Sequence, residues 1–132
     1  MSNTVTFYRT NSANILIIDD NALVLRNMKV LLDDKYSVSV AASATQAYMA
    51  MEKRKPNLIL LDYDMPEING RDLYIQLKAD ERYKDIPIVF LTSAADADIV
   101  QKLLSLRPAG YILKPVNTKN VLGVIEKALR GD

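Results

Sequence analysis

Cysteine and histidine are both absent from this chain of 132 residues. Without cysteine there is no disulfide, no thiolate nucleophile and no cysteine metal site. Without histidine there is no imidazole metal ligand and no histidine-based catalytic triad. Any chemistry of the chain therefore uses carboxylates, lysine, hydroxyl groups or tyrosine.

Glycine is scarce, and the chain contains four, at Gly70, Gly110, Gly123 and Gly131. Their spacing allows neither a G-x-G-x-x-G nor a G-x-x-x-x-G-K-[ST] phosphate-binding loop. Nucleotide binding by either of these loops is therefore excluded.

Long apolar runs are also missing. None is long enough to span a membrane, and the amino terminus lacks the apolar core of a signal peptide, so we expect a cytoplasmic protein. The chain has 17 basic and 16 acidic residues, a net charge of +1. This balance gives no reason to expect attraction to nucleic acids or membranes. The 49% hydrophobic and 25% charged residues are typical of a globular domain of this length.

Five short apolar runs alternate with segments of helical spacing. The predicted strands are 15–18, 37–41, 58–61, 88–91 and 111–113. Apolar residues at helical spacing mark five helices, at Val24, Met28, Leu31 and Leu32; Ala44, Ala47, Tyr48 and Met51; Leu73 and Leu77; Ile99, Leu103 and Leu106; and Val121, Val124, Ile125 and Ala128. Ser43 and Asp96 are predicted helix caps. The alternation predicts one α/β domain over residues 14–132, a doubly wound parallel sheet with helices on both faces, after a tail or linker at residues 1–13.

Polar residues follow four of the five predicted strands. They are Asp19 and Asp20, Asp62 and Asp64, Thr92, and Lys114. A single aspartate in such a place is more often a helix cap, but capping alone does not explain the whole set. In a doubly wound sheet of order 2-1-3-4-5, the carboxyl ends of the strands around the reversal of order form the ligand site. We therefore expect these side chains to converge.

Clustered carboxylates need compensating charge. Two of them about 4 Å apart repel by roughly 4 kcal/mol at an effective dielectric constant of about 20. Lys114 supplies one positive charge, and Mg²⁺, which prefers oxygen ligands, could supply the rest. A magnesium ion, an ammonium group and a hydroxyl group around a carboxylate suit phosphoryl transfer.

Four motifs together resemble the receiver domains of two-component response regulators. They are IIDDN at 17–21, LLDYDMPEING at 60–70, FLTSA at 90–94 and GYILKP at 110–115, and the resemblance extends from Asn14 to Arg130. It implies a flavodoxin-like (βα)5 fold with strand order 2-1-3-4-5, and a cis peptide bond before Pro115.

The resemblance also implies a role for each acidic residue. Asp62 is the phosphoacceptor. Asp20 binds Mg²⁺ directly, Asp19 acts largely through water, and the backbone carbonyl of Asp64 completes the metal site. The Asp64 side chain, which faces the phosphoryl group in this family, and Ala94, which offers no polar group to attacking water, leave the lifetime of the phosphorylated form open.

The same resemblance implies that Thr92 binds a phosphoryl oxygen and that Lys114 pairs with the phosphate. It also implies that Tyr111 is the aromatic switch. In this family Thr92 moves toward the phosphorylated aspartate and the tyrosine rotates into the space, which changes the surface of the fourth helix, fifth strand and fifth helix.

The implied partners are a sensor histidine kinase or phosphotransfer protein and a downstream partner or output domain, with a homodimer through the same surface as one option. Direct contact with nucleic acid or membrane is not expected. The chain is expected to be a signalling phosphoacceptor that catalyses only its own phosphorylation and dephosphorylation. Because it ends after the fifth helix, we expect a stand-alone receiver or a domain of a longer protein.

Two other functions fit part of the pattern. Phosphatases of the haloacid dehalogenase type also place D-x-D after an apolar strand, with the first aspartate as nucleophile and the second as acid and base. Asp62 and Asp64 fit that string, but the acidic pair at Asp19 and Asp20 precedes it, which is the wrong order. A receiver-like interaction module that no longer takes phosphate is the other alternative, and the intact Asp, Thr and Lys set argues against it.

Overall fold

The computed structural model describes residues 13–65, 69–93 and 96–131. Five strands and five helices alternate along these segments, as the sequence predicts. They are β1 (Asn14–Ile18), α1 (Ala22–Leu32), β2 (Ser37–Ala41), α2 (Ala44–Lys53), β3 (Leu58–Asp62), α3 (Gly70–Lys78), β4 (Ile88–Thr92), α4 (Ala97–Ser105), β5 (Gly110–Leu113) and α5 (Thr118–Arg130).

The five strands form one parallel sheet in the order β2-β1-β3-β4-β5, which confirms the predicted architecture. The direction of winding reverses between β1 and β3. Asp62 pairs in register with Leu91, and Thr92 pairs with Leu113. The predicted runs stopped one residue before Asp62 and Thr92, because pairing with a neighbouring strand extends a strand beyond its apolar residues.

Two hydrophobic layers cover the sheet. Alternate side chains such as Ile17 and Leu60 face α1 and α5, while Leu61 and Phe90 face α2, α3 and α4. Every residue of β1, β3 and β4 is buried. Strands covered on both faces need apolar residues on both, which explains the continuous apolar runs in the sequence.

Each helix begins after a residue whose side chain accepts a backbone N–H. Ser43 accepts from Gln46 at 3.1 Å and Asp96 from Asp98 at 2.8 Å, so both predicted caps are confirmed. The other caps are Asn21, Asn69 and Asn117. Because Asn21 caps α1, neither aspartate before it serves as that helix cap.

The helices in the described segments run from 9 to 13 residues, and none combines the length and the apolar character needed to cross a membrane. Leu106, predicted within the fourth helix, instead directly follows α4 and caps its carboxyl end. Its N–H donates to the carbonyl of Leu103 at 3.2 Å, a tighter turn than the α-helical one.

Some predictions concern residues outside the described segments. They are residues 1–12 of the predicted tail, residues 66–68 of the LLDYDMPEING motif, and Ala94. What the sequence predicts for them stays a prediction. The end of that motif is described, and Gly70 is the first residue of α3.

Candidate functional site

An acidic cluster lies at the carboxyl edge of the sheet, where the strand order reverses. Asp19 follows β1 directly, Asp20 is next to it, and Asp62 is the last residue of β3. One carboxylate oxygen from each lies within 4.8 Å of the others. Asp19 is 0% and Asp62 3% exposed, whereas Asp20 is exposed. The sheet therefore brings together three of the predicted site residues.

Lys114 reaches this cluster from the end of β5. Its Nζ lies 2.7 Å from Asp19 Oδ2 and 3.4 Å from Asp62 Oδ1. Its backbone N–H donates to the carbonyl of Thr92 at 2.8 Å, which holds the lysine beside β4. The peptide bond to Pro115 is cis, as the resemblance implied. One ammonium group thus connects two buried carboxylates from different strands.

The surroundings of Asp62 raise the pKa of its carboxyl from 3.8 to about 6. Burial is the main cause, and the charge of Asp19 adds to it. Lys114 and the backbone N–H of Asp64, which donates to Asp62 Oδ1 at 3.3 Å, act in the opposite direction. Asp62 is therefore ionised at neutral pH but easier to protonate than an ordinary aspartate.

The pKa of Lys114 is raised. Burial by itself would lower it, but the hydrogen bond to Asp19 and the charge of Asp62 outweigh burial. Lys114 therefore stays in its protonated ammonium form across the physiological pH range.

The remaining predicted residues surround this cluster. Thr92 ends β4 and is fully buried. Tyr111 lies opposite Phe90 in β5, half-buried against the layer that faces α2, α3 and α4. Asp64 is exposed, and its carboxylate does not belong to the acidic cluster. Its expected contribution to a metal site, the backbone carbonyl, stays a prediction.

Gly70 adjoins the site, although the sequence identifies it only as the last residue of the LLDYDMPEING motif. A Cβ there would overlap the carbonyl oxygen of Asp62 and lie 2.7 Å from Tyr63 Cα. The Gly70 N–H donates to the Tyr63 carbonyl at 3.0 Å. The start of α3 therefore packs directly on the backbone that carries Asp62. The Asn-Gly pair signals a turn, but this contact depends on the tertiary fold.

The donor set of the cluster fits a hard divalent cation. All three side chains offer carboxylate oxygens, the ligand type that Mg²⁺ prefers. Counted by formal charges, the three carboxylates and one ammonium group give the site a net charge of −2. A divalent cation would balance that charge.

Comparison with known proteins identifies the family. Residues 15–126 match the response regulator receiver domain, and the chain belongs to this family. It is similar to the phosphate regulon transcriptional regulatory protein PhoB of Pseudomonas aeruginosa, with 35% identity over 117 residues, 88% of this chain and 51% of that protein. The DNA-binding response regulator MtrA of Mycobacterium tuberculosis is 33% identical over 124 residues, 92% of this chain and 52% of MtrA.

The chain thus spans about half the length of these curated relatives. Among solved structures, the chemotaxis response regulator CheY4 of Vibrio cholerae shares the fold with a TM-score of 0.81. The match covers 89% of this chain and 99% of that one, at 24% identity. Family and fold together favour the receiver interpretation over the phosphatase one.

Proposed function

We propose that this chain is a phosphoacceptor in which Asp62 takes a phosphoryl group from the phosphohistidine of a sensor histidine kinase or phosphotransfer protein, or from a small phosphodonor. One observation carries the proposal. The Asp62 carboxylate is buried at the reversal point of the sheet, beside two further carboxylates and the Lys114 ammonium. A carboxylate held in this way is oriented and ionised at neutral pH, as a nucleophile must be.

In the proposed step an Asp62 carboxylate oxygen forms a bond to phosphorus while the bond from phosphorus to the donor breaks. The donor leaves as a neutral imidazole, after protonation, or as a free carboxylate when an acyl phosphate is used. Lys114, 3.4 Å from Asp62 Oδ1, is placed to pair with the negative charge of the transferred group. Hydrolysis of the acyl phosphate by water returns the Asp62 carboxylate and inorganic phosphate.

Asp19, Asp20 and Asp62 are the side chains that would hold Mg²⁺, with the backbone carbonyl of Asp64 as a further ligand. When bound, the ion would supply positive charge to the phosphoryl oxygens. The chain's own contribution is to fix Asp19: its N–H donates to the Ala41 carbonyl at 3.1 Å, and its Oδ1 accepts from Asn21 at 3.0 Å. Because the Asp19 carboxylate is buried and held by these hydrogen bonds, it needs little rearrangement to take part in metal binding.

Signalling follows from Thr92 and Tyr111 in this proposal. Thr92 would bind a phosphoryl oxygen, Tyr111 would rotate, and the surface of α4, β5 and α5 would change toward a downstream partner, an output domain or a second copy of the chain. PhoB is named as a transcriptional regulatory protein and MtrA as a DNA-binding response regulator. Since this chain matches half of each, we propose that DNA contact belongs to an output domain and not to this module. We also propose that the phosphorylation chemistry takes place in the cytoplasm.

The test is phosphorylation in vitro. The purified chain is incubated with Mg²⁺ and a small acyl phosphate, and its intact mass is measured. We expect a gain of one phosphoryl group in the wild type and in Asp64→Asn, and no gain in Asp62→Asn. No gain in the wild type, or an equal gain in Asp62→Asn, would contradict the proposal. Steady hydrolysis of a phosphomonoester that Asp64→Asn abolishes would instead support the phosphatase alternative.

A further inference from the structure

The helix α4 is held to the sheet by fewer buried side chains than any other helix in the described segments. Of its nine residues Leu103 alone is buried, whereas α2 buries two side chains and α1, α3 and α5 bury three each. Packing of buried side chains supplies most of the stability of a helix in a protein. Local opening of α4 should therefore require less free energy than opening of its neighbours.

The carboxyl end of α4 has an additional attachment, which comes from α3. Tyr74 is 6% exposed, and its hydroxyl shares its one proton between the Leu106 carbonyl at 2.9 Å and the Arg107 carbonyl at 3.2 Å. Leu106 caps the carboxyl end of α4 and Arg107 is the next residue, so the Tyr74 hydroxyl holds the turn that ends the helix. Arg107 has φ 56°, a conformation uncommon for a residue with a side chain, and one of the two bonds holds this residue.

Phenylalanine would fill the place of the Tyr74 ring equally well. The ring packs in the hydrophobic layer with Leu73 and Leu77 of the same helix. What the tyrosine adds is its hydroxyl, and both carbonyls that the hydroxyl reaches lie at the end of α4. The hydroxyl therefore acts on α4 and not on the core.

A row of aromatic contacts connects Tyr74 with the phosphoacceptor site. Its ring centroid lies 5.2 Å from that of Phe90 in β4, which lies 5.2 Å from that of Tyr63. Tyr63 directly follows Asp62, and its N–H donates to the Leu91 carbonyl at 2.8 Å. Tyr74 thus contacts β4 directly through Phe90, and it is connected through Phe90 to Tyr63, the residue after the phosphoacceptor.

We propose that the Tyr74 hydroxyl is an anchor that fixes the carboxyl end of α4 to α3, and that release of this anchor frees α4 to change the surface it forms with β5 and α5. The anchor itself is inferred from the contacts of Tyr74 alone. Its regulatory use rests on the proposed function, because it requires phosphorylation of Asp62.

Hydrogen exchange measured by mass spectrometry, without phosphodonor, tests the anchor. In Tyr74→Phe we expect amides in residues 103–107 to exchange about tenfold faster than in the wild type, the size expected for loss of one net hydrogen bond. Amides of β1 and β3 should keep their wild-type rates. The control is Tyr83→Phe, which removes a hydroxyl from a tyrosine of 4% exposure whose ring contacts Tyr48 and Arg82. It should leave α4 unchanged.

If the amides of α4 exchanged at the same rate in Tyr74→Phe as in the wild type, the anchor would be overturned. An equal increase of the exchange rate in every helix and strand would overturn it as well. The regulatory part is tested by adding Mg²⁺ and an acyl phosphate. We expect the change in α4 exchange on phosphorylation to be smaller in Tyr74→Phe than in the wild type, and equal changes would overturn this part. Failure of Asp62 to gain phosphate would overturn the proposed function and the regulatory part together, whereas the exchange rates without phosphodonor decide the anchor independently.

Discussion

Asp62 is buried at the end of an apolar strand, where its carboxylate loses most of its hydration. Lys114 and the Asp64 N–H compensate for part of this loss, and Asp19 works against them. The result is a folded-state pKa of about 6, above the ordinary value of 3.8. The ionised form of Asp62 therefore destabilises the folded protein when no metal is present.

This shift predicts a pH dependence of stability with a defined sign. A raised carboxyl pKa contributes stability that is fully present below the unfolded pKa of 3.8 and is lost as pH rises through about 6. In metal-free buffer, the wild type should lose about 1–2 kcal/mol of unfolding free energy relative to Asp62→Asn between about pH 4 and about pH 7, after allowance for solvent screening. Urea unfolding of both proteins at both pH values checks this. A constant difference between them would contradict it.

The contact of Gly70 with the Asp62 backbone gives a second prediction for a single residue. Gly70→Ala forces a methyl group into the Asp62 carbonyl, so the unfolding free energy should fall by about 1–3 kcal/mol. Gly123→Ala is the matched control, because its added methyl group meets nothing within 4 Å. In the middle of α5 that change should raise stability by about 0.5–1 kcal/mol. Equal effects of the two substitutions in urea unfolding would show that the Gly70 contact is unimportant.

At the scale of elements, two neighbouring residues at the start of α1 have different roles: Asn21 caps the helix, and Asp20 belongs to the acidic cluster. Asn21 Oδ1 accepts from the N–H groups of Leu23 and Val24 at 2.9 and 3.2 Å. The exposed Asp20 makes no such bond in the described part of the chain and instead belongs to the acidic cluster. An aspartate that repels its neighbours and caps nothing should contribute little to stability.

Thermal or urea unfolding of two alanine variants tests this division. Asn21→Ala should lower the unfolding free energy by about 1 kcal/mol through loss of the cap. Asp20→Ala should leave it unchanged or raise it in metal-free buffer, because one of three clustered negative charges is removed. A cost for Asp20→Ala as large as that for Asn21→Ala would mean that Asp20 has a structural role.

Metal binding belongs to the scale of the whole molecule, since the proposed ligands come from the end of β3 and from the loops after β1 and β3. A ligand that binds only the folded state stabilises it, by about 2.7 kcal/mol at a hundred times its dissociation constant. We expect Mg²⁺ to raise the unfolding midpoint of the wild type and of Asp64→Asn, whose backbone carbonyl is retained. The increase should be lost or much reduced in Asp20→Asn. Calorimetric scans with and without Mg²⁺ check this, and an undiminished increase in Asp20→Asn would argue against the proposed site.

The order and type of the elements could be predicted because they depend on local patterns. Continuous apolar runs mark strands buried on both faces, and apolar residues at helical spacing mark the helices between them. The boundaries were less accurate, as at Thr92 and Leu106, because strand pairing and the tight turn after α4 extend or end elements beyond what the pattern shows. The polar residues at the strand ends were also predictable, because they follow apolar runs in the sequence.

The sequence alone therefore determined the doubly wound architecture and the edge at which Asp19, Asp62 and Lys114 meet, because parallel strands place their carboxyl ends together. The tertiary structure decided which groups touch. Lys114 lies nearer to Asp19 than to Asp62, and the Tyr74 hydroxyl reaches the end of α4. Such contacts join residues far apart in the chain and depend on side-chain packing between elements, which no local pattern in a sequence records.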